Sequence, residues 1–197
     1  MPAERQRPDR AVLSAHQAIG DVLRTGDLAI DATAGNGHDT VFLAARVGPA
    51  GHVFAFDVQA EALSNTRERL ESTGGLAWTS LIHASHAEMD RHISKPCHGR
   101  IRAVMFNLGY RPGSDKSVVT RPATTIAALD RATKLLMPGG RLSIVAYPGH
   151  VGGMEETFAV TEWIEQLPSQ GYLSTPEPAR SQRAPRLLIV AVREAGT

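Results

Sequence analysis

The sequence predicts an α/β fold: a Rossmann-like, mostly parallel seven-stranded sheet with one antiparallel strand and helices on both faces. Three observations point there. From residue 28 onward short apolar runs alternate with amphipathic ones, and parallel strands need crossover segments of the second kind. A glycine loop, "DATAGNGHDT" (31–40), joins the first strand-like run to a helical one. Near the end, residues 178–185 separate two strand-like runs. That gap is shorter than the ~10 residues a crossover needs, so the last two strands form an antiparallel hairpin.

The elements follow in order. Residues 9–24 read as a helix, "LAIDAT" (28–33) as a strand and "DTVFLAARV" (39–47) as a short helix. "GHVFAFD" (51–57) is a strand, and "AEALSNTRERLES" (60–72) puts Ala62, Leu63 and Leu70 on one helical face. "TSLIHAS" (79–85) and "IRAVMFN" (101–107) are the third and fourth strands. "PATTIAALDRATKLLM" (122–137) opens with proline and is followed by Pro138-Gly139-Gly140, the expected punctuation of a helix. "RLSIVAY" (141–147), "EETFAVTEWIEQL" (155–167), "GYLSTPE" (171–177) and "PRLLIVAV" (185–192) complete a strand, a helix and the hairpin. Residues 1–197 are expected to form one domain, with an N-terminal helical segment (1–26) packed on it.

Composition sets the bounds. A chain of 197 residues, 42% hydrophobic with net charge +1, suits an ordinary globular protein. The opening "MPAERQRPDR" lacks the apolar core of a signal peptide, and the longest apolar run, 187–192, is far too short to span a bilayer. The lone Cys97 cannot form an internal disulfide, which fits a cytoplasmic location. With no paired cysteines, a zinc site is not expected.

In the glycine loop, Gly35 and Gly37 let backbone approach a ligand, and the helix that follows offers unpaired N–H groups. A dinucleotide site would carry a third glycine where Thr40 stands, and Asp39 puts negative charge where a pyrophosphate would sit. That disfavours a nicotinamide cofactor and suits one with a cationic amino-acid end. Asp31, four residues before Gly35, gives the acidic-x-x-x-Gly-x-Gly spacing of S-adenosylmethionine (SAM) enzymes, with Thr33 where a further glycine is usual. Asp57 ends the second strand, placed for ribose hydroxyls, with Gln59 beside it; Ser85 and His86 follow the third strand, at the level of the adenine. Alone, the loop is equally well explained as a structural turn, but Asp57 and the strand–helix context favour a cofactor site.

Ligands of this fold gather at the carboxyl ends of the strands, where the fourth strand runs into "FNLGYRPGSDK" (106–116). Amine-methylating enzymes often carry Asp/Asn-Pro-Pro-Tyr/Phe there. Asn107 and Tyr110 keep its two ends, one to accept from a target N–H and one to stack; an Asx-turn with a half-buried tyrosine is the alternative. An aliphatic amine must lose a proton before attack, and Asp115 or His150 could receive it, each being equally plausible as a loop-ordering residue.

Together these residues resemble the small methyltransferase family long labelled "putative rRNA methylases", within the class I SAM-dependent enzymes. The likeness rests on "DATAGNGHDT", "GHVFAFDVQ" (51–59), "SH" (85–86), "FNLGY" with "DK" (106–116), "TTI" (124–126), "GH" (149–150) and the final "PRLL". Characterised bacterial members methylate the aminomethyl group of modified wobble uridines. The resemblance implies a SAM-dependent N-methyltransferase acting on uridine 34 in the anticodon of tRNA. Asp31, Gly35, Asn36, Gly37, Asp39, Thr40, Asp57, Gln59, Ser85 and His86 would form the cofactor site, with Asn107 and Tyr110 facing the amine. Arg111 and Ser114 stand where leucine and glycine are usual.

Arg111, Lys116, Arg121, Arg180, Arg183 and Arg186 are expected around the pocket mouth, where they would hold phosphates while an unpaired base stacks on Tyr110. Exposed arginines that merely keep a loop soluble are the alternative. Arg91, Lys95 and Arg100 precede the fourth strand and Arg102 lies at its start, at the wrong edge of the sheet. Other RNAs or a small amine as substrate, a non-catalytic RNA-binding protein, and pairing of two copies as a homodimer stay open.

Overall fold

The computed structural model describes residues 9–109, 121–167, 171–176, 181 and 184–193. Its strands are β1 (Leu28–Asp31), β2 (His52–Asp57), β3 (Thr79–His83), β4 (Ile101–Leu108), β5 (Leu136–Ala146), β6 (Tyr172–Pro176) and β7 (Arg186–Val192). They form one seven-stranded sheet in the order β3-β2-β1-β4-β5-β7-β6, in which β7 alone runs antiparallel to its neighbours. The chain steps outward from β1 to β2 and β3, then returns to β4 on the other side of β1. Strand order therefore reverses between β1 and β4, and such a point opens a crevice at the carboxyl ends of the strands.

Among the described residues the helices are α1 (Arg10–Gly20), α2 (His38–Val47), α3 (Ala60–Thr73), α4 (Met89–His92), α5 (Pro122–Leu135) and α6 (Gly153–Gln166). One core layer joins Ile30, Phe56, Val104, Phe106 and Ile144 to Ala128 and Leu129 of α5 and Val160 and Trp163 of α6. The other joins Ala29, Val53, Ala103, Met105 and Val145 to Ala15 and Ile19 of α1, Leu43 and Val47 of α2 and Leu70 of α3. Successive strand residues face opposite sides, so the polar residues continuing the second set are fixed in direction. Asp31 continues from Ala29, Asp57 from Val53, Asn107 from Met105 and Tyr147 from Val145. All four fall on the face of the sheet that α1 and α2 cover.

The predicted hairpin and strand–helix order agree with the structure, but one boundary moves. Pro138-Gly139-Gly140 lies inside the β5 segment. α5 stops at Leu135, Leu136 pairs with Ile101, and the next pair joins Arg141 to Ala103. The intervening residues are thrown out as a bulge with Gly139 at φ +72. A proline has no N–H for a central ladder, and the bulge removes it from one.

Candidate active site

The loop between β1 and α2 is tied down from three sides. Ala34 N–H donates to Phe56 O on β2 (2.9 Å) and Gly37 N–H to Ala34 O (2.7 Å). From α3, Thr66 Oγ1 donates to Gly35 O (3.2 Å) and Arg69 Nε to Asn36 O (2.9 Å). Gly37 sits at φ +80, and a Cβ there would lie 2.9 Å from the Thr66 Cα, so the loop lies hard against α3. Among the described residues, a Cβ at Gly35 (φ +52) would meet only Thr33 O, at 3.8 Å, so none of them crowds this side of the loop.

Asp57 closes the loop. Its Oδ2 accepts from Gly35 N–H at 2.8 Å and its Oδ1 from Gln59 N–H at 2.9 Å. Each carboxylate oxygen keeps a further lone pair, and the residue is only half-buried, so it can still accept from hydroxyl groups. His86 bridges back: Nδ1–H donates to Ala32 O at 3.1 Å, and the ring lies 5.7 Å from that of Phe106. Burial holds this imidazole below the usual histidine range. Ser85 Oγ accepts from Ala87 N–H at 3.2 Å, capping the turn after β3. The residues around the loop thus suit a ligand with a nucleoside part.

Beneath the loop, Asp31 and Thr40 are fully buried. Thr40 Oγ1 donates to Asp31 Oδ2 at 2.6 Å and Thr33 N–H to Asp31 Oδ1 at 3.1 Å. Neither Asp31 nor Thr40 offers surface to a ligand, so their effect on one passes through the loop they support. Burial first, then the nearby Asp39 charge, push the Asp31 carboxyl up to about 7.

Asn107 stands across the crevice. Its backbone N–H donates to Thr33 Oγ1 at 2.8 Å, and its Nδ2 lies 3.4 Å from Asp39 Oδ2. Asp39 Oδ1 accepts from His16 Nε2 at 2.6 Å, and the His16 ring stacks on Phe42 (4.0 Å, 8°). His150 closes the site from the loop after β5: a Cβ at Gly109 would come within 3.3 Å of its Nε2 and 3.8 Å of the Tyr147 ring. Its Nδ1–H donates to Val151 O at 2.9 Å, so in the neutral ring the basic nitrogen is Nε2, on the edge facing Gly109. Burial, with Asp9 and Asp39 nearby, pushes the Tyr147 phenol well above its ordinary value.

The structure thus gathers Gly35, Asn36, Gly37, Asp39, Asp57, Gln59, Ser85, His86, Asn107 and His150 around the carboxyl ends of β1, β2, β3, β4 and β5. Tyr110, Asp115, Arg111, Lys116, Arg180 and Arg183 lie outside the described residues. Arg121 is exposed at the start of α5, and Arg186, half-buried, pairs with Ala146 at the carboxyl end of β5. Arg102, by contrast, lies 3.7 Å from Asp27, before β1. Sequence reasoning missed His16 and Tyr147 and read Thr33 only as a missing glycine. A strand-parity signal existed for Tyr147; none existed for His16.

Comparison with known proteins bears on the family and the fold. Residues 53–192 match the model of the family described as "Putative rRNA methylase". A relative from Arabidopsis thaliana, the chloroplastic tRNA (mnm(5)s(2)U34)-methyltransferase, is 37% identical over 172 residues, 83% of this chain and 62% of the relative. The chain therefore spans about three fifths of that relative's length. A "putative rRNA-methylase" structure from Clostridium thermocellum superposes with a TM-score of 0.88 at 36% identity, covering 94% of this chain and 98% of the other. A "putative methyltransferase" from Streptococcus mutans, solved in complex with SAH, gives 0.81 at 37% identity, covering 94% and 99%. The chain belongs to the "Putative rRNA methylase" family of class I SAM-dependent methyltransferases.

Proposed function

We propose that this protein methylates the aminomethyl nitrogen of a modified uridine at position 34 of tRNA, using SAM. The observation that carries the reading is Asn107, a carboxamide held at the carboxyl end of β4 beside the glycine loop. An amide oxygen there accepts from an N–H and turns the nitrogen lone pair toward the methyl group. The name of the Arabidopsis relative supplies the substrate class.

When bound, SAM provides an electrophilic methyl group on a sulfonium. The protein's own residues then have separable tasks. Gly35, Asn36 and Gly37 admit the nucleoside, Asp57 and Gln59 meet the ribose, and Ser85 and His86 flank the adenine. Asp39 carries negative charge near the cationic end, with Asp31 and Thr40 supporting the loop from below. Asn107 and Tyr110 orient the amine. The amine's lone pair forms the new N–C bond, the C–S bond breaks with its electrons going to sulfur, and one N–H proton leaves. Asp115 or His150 receives that proton. Holding donor and acceptor in line removes roughly 7–11 kcal/mol of barrier.

Arg111, Lys116, Arg121, Arg180, Arg183 and Arg186 hold anticodon-loop phosphates, and a cytoplasmic setting fits the lone Cys97. The test is incubation with SAM and hypomodified tRNA, followed by mass spectrometry of the nucleosides. A gain of one methyl on the aminomethyl uridine is expected. Transfer to another RNA or to a small amine, with tRNA left unchanged, would overturn the substrate assignment.

A further inference from the structure

Asn107 is held at two points, and the two together decide which end of its carboxamide faces the crevice. Thr33 Oγ1 takes the backbone N–H at 2.8 Å, fixing the residue's position. The side-chain Nδ2 faces Asp39 Oδ2 at 3.4 Å. A carboxylate only accepts hydrogen bonds, so the opposite orientation would set the amide oxygen against another acceptor. The amide therefore turns its NH2 inward and its oxygen outward.

Asp39 is itself anchored. It is 6% exposed, and its other oxygen takes the 2.6 Å hydrogen bond from His16 Nε2. That ring is clamped flat on Phe42, and α1, which carries it, is bound by Arg141 Nη1 donating to Ala18 O. The path runs from α1 through α2 to the lip of β4.

We infer that His16 and Asp39 are positioning residues that set the polarity of Asn107, so that this side chain presents its hydrogen-bond acceptor to the crevice and selects a nitrogen bearing an N–H. This rests on the reading of Asn107 as the group that faces the substrate. A primary amine satisfies the outward oxygen. A carbonyl or a fully substituted amine at the same place leaves it unpaired, a strong basis for rejection.

Asp39→Asn tests polarity at constant shape, because the introduced carboxamide could donate to the Asn107 oxygen and reverse the amide. His16→Gln keeps a donor where Nε2 stands, and His16→Ala removes it. With SAM and tRNA carrying aminomethyl uridine, Asp39→Asn and His16→Ala should lower kcat by about 10- to 100-fold. KM for tRNA should stay within about 3-fold in both variants and calorimetric affinity for SAH within about 3-fold in His16→Ala, and His16→Gln should recover most of the loss. Unchanged kcat in Asp39→Asn, a loss of SAH affinity in step with kcat in His16→Ala, or His16→Gln no better than His16→Ala would each overturn the inference.

A readout independent of substrate is the ¹⁵N-resolved side-chain NH2 signal of Asn107. It should be shifted and exchange-protected in the wild type and lose both properties in Asp39→Asn. If the two proteins give the same signal, the lock is refuted even where tRNA proves to be the wrong substrate. If the signal behaves as expected while tRNA is not methylated, only the substrate assignment fails.

Discussion

Replacing Asp31 by asparagine should flatten the pH dependence of stability. The Asp31 carboxyl is fully buried under the glycine loop and titrates at about 7, against 3.8 for an unperturbed aspartate. Burial is the main cause. The charge of Asp39 adds to it, hydrogen bonds from Thr40 and Thr33 oppose it, and Asp57 contributes a smaller upward push. The folded chain therefore keeps a proton at pH values where the unfolded chain has lost it. Stability gained this way is present at the acid end of the window and disappears as pH rises through about 7. The gap between the two values corresponds to roughly 4 kcal/mol, of which more than half falls between pH ~5 and pH ~8.

The hydrogen bond to Thr40 survives protonation, because the hydroxyl can reverse from donor to acceptor. The asparagine in Asp31→Asn carries no titrating proton and keeps one oxygen for Thr33 N–H. The assay is urea unfolding of both proteins across that pH range, followed by fluorescence of Trp78 and Trp163. The stability difference should move by about 2–3 kcal/mol in favour of Asp31→Asn as pH rises. Parallel curves would show that Asp31 is ionised in the folded protein throughout, refuting the account of its burial.

Other perturbations separate the parts of the site. Asp57→Ala strands the Gly35 and Gln59 N–H groups, and SAH affinity by calorimetry should fall at least about 10-fold, at roughly 1–3 kcal/mol per lost partner. Gly37→Ala forces a non-glycine residue to φ +80 and a Cβ to within 2.9 Å of the Thr66 backbone. A loss of about 2–5 kcal/mol in unfolding free energy is expected; a loss under about 1 kcal/mol would mean the loop relaxes freely. Asn107→Ala should cut turnover by ~100-fold or more while SAH still binds, and retained turnover would remove Asn107 from its assigned task.

Much of the fold is legible in the sequence because period-2 and helical patterns report directly on which face is buried, and because a short final connection admits only a hairpin. Asp57 and Asn107 are legible for a related reason: both end apolar runs, where this fold collects its ligands. Pro138-Gly139-Gly140 misleads, since the same residues stop a helix or leave a strand as a bulge, and only pairing with β4 decides between them. His16 is invisible because its partner, Asp39, is 23 positions away and is reached only once α1 docks on the sheet. Thr33 looks like a defect in a glycine pattern. Its hydroxyl instead binds a backbone N–H 74 positions later, a link that local spacing does not encode.

The position of β7 between β5 and β6 has a consequence for how the protein is made. Among the described residues β6 touches the sheet only through β7, yet β6 leaves the ribosome first. Until β7 emerges, β5 presents an edge of unpaired N–H and C=O groups and β6 has nowhere to attach. The nascent chain holds an unfinished sheet until that moment. The insertion of one strand then covers the open edge, seats β6 and brings Arg186 beside the carboxyl end of β5.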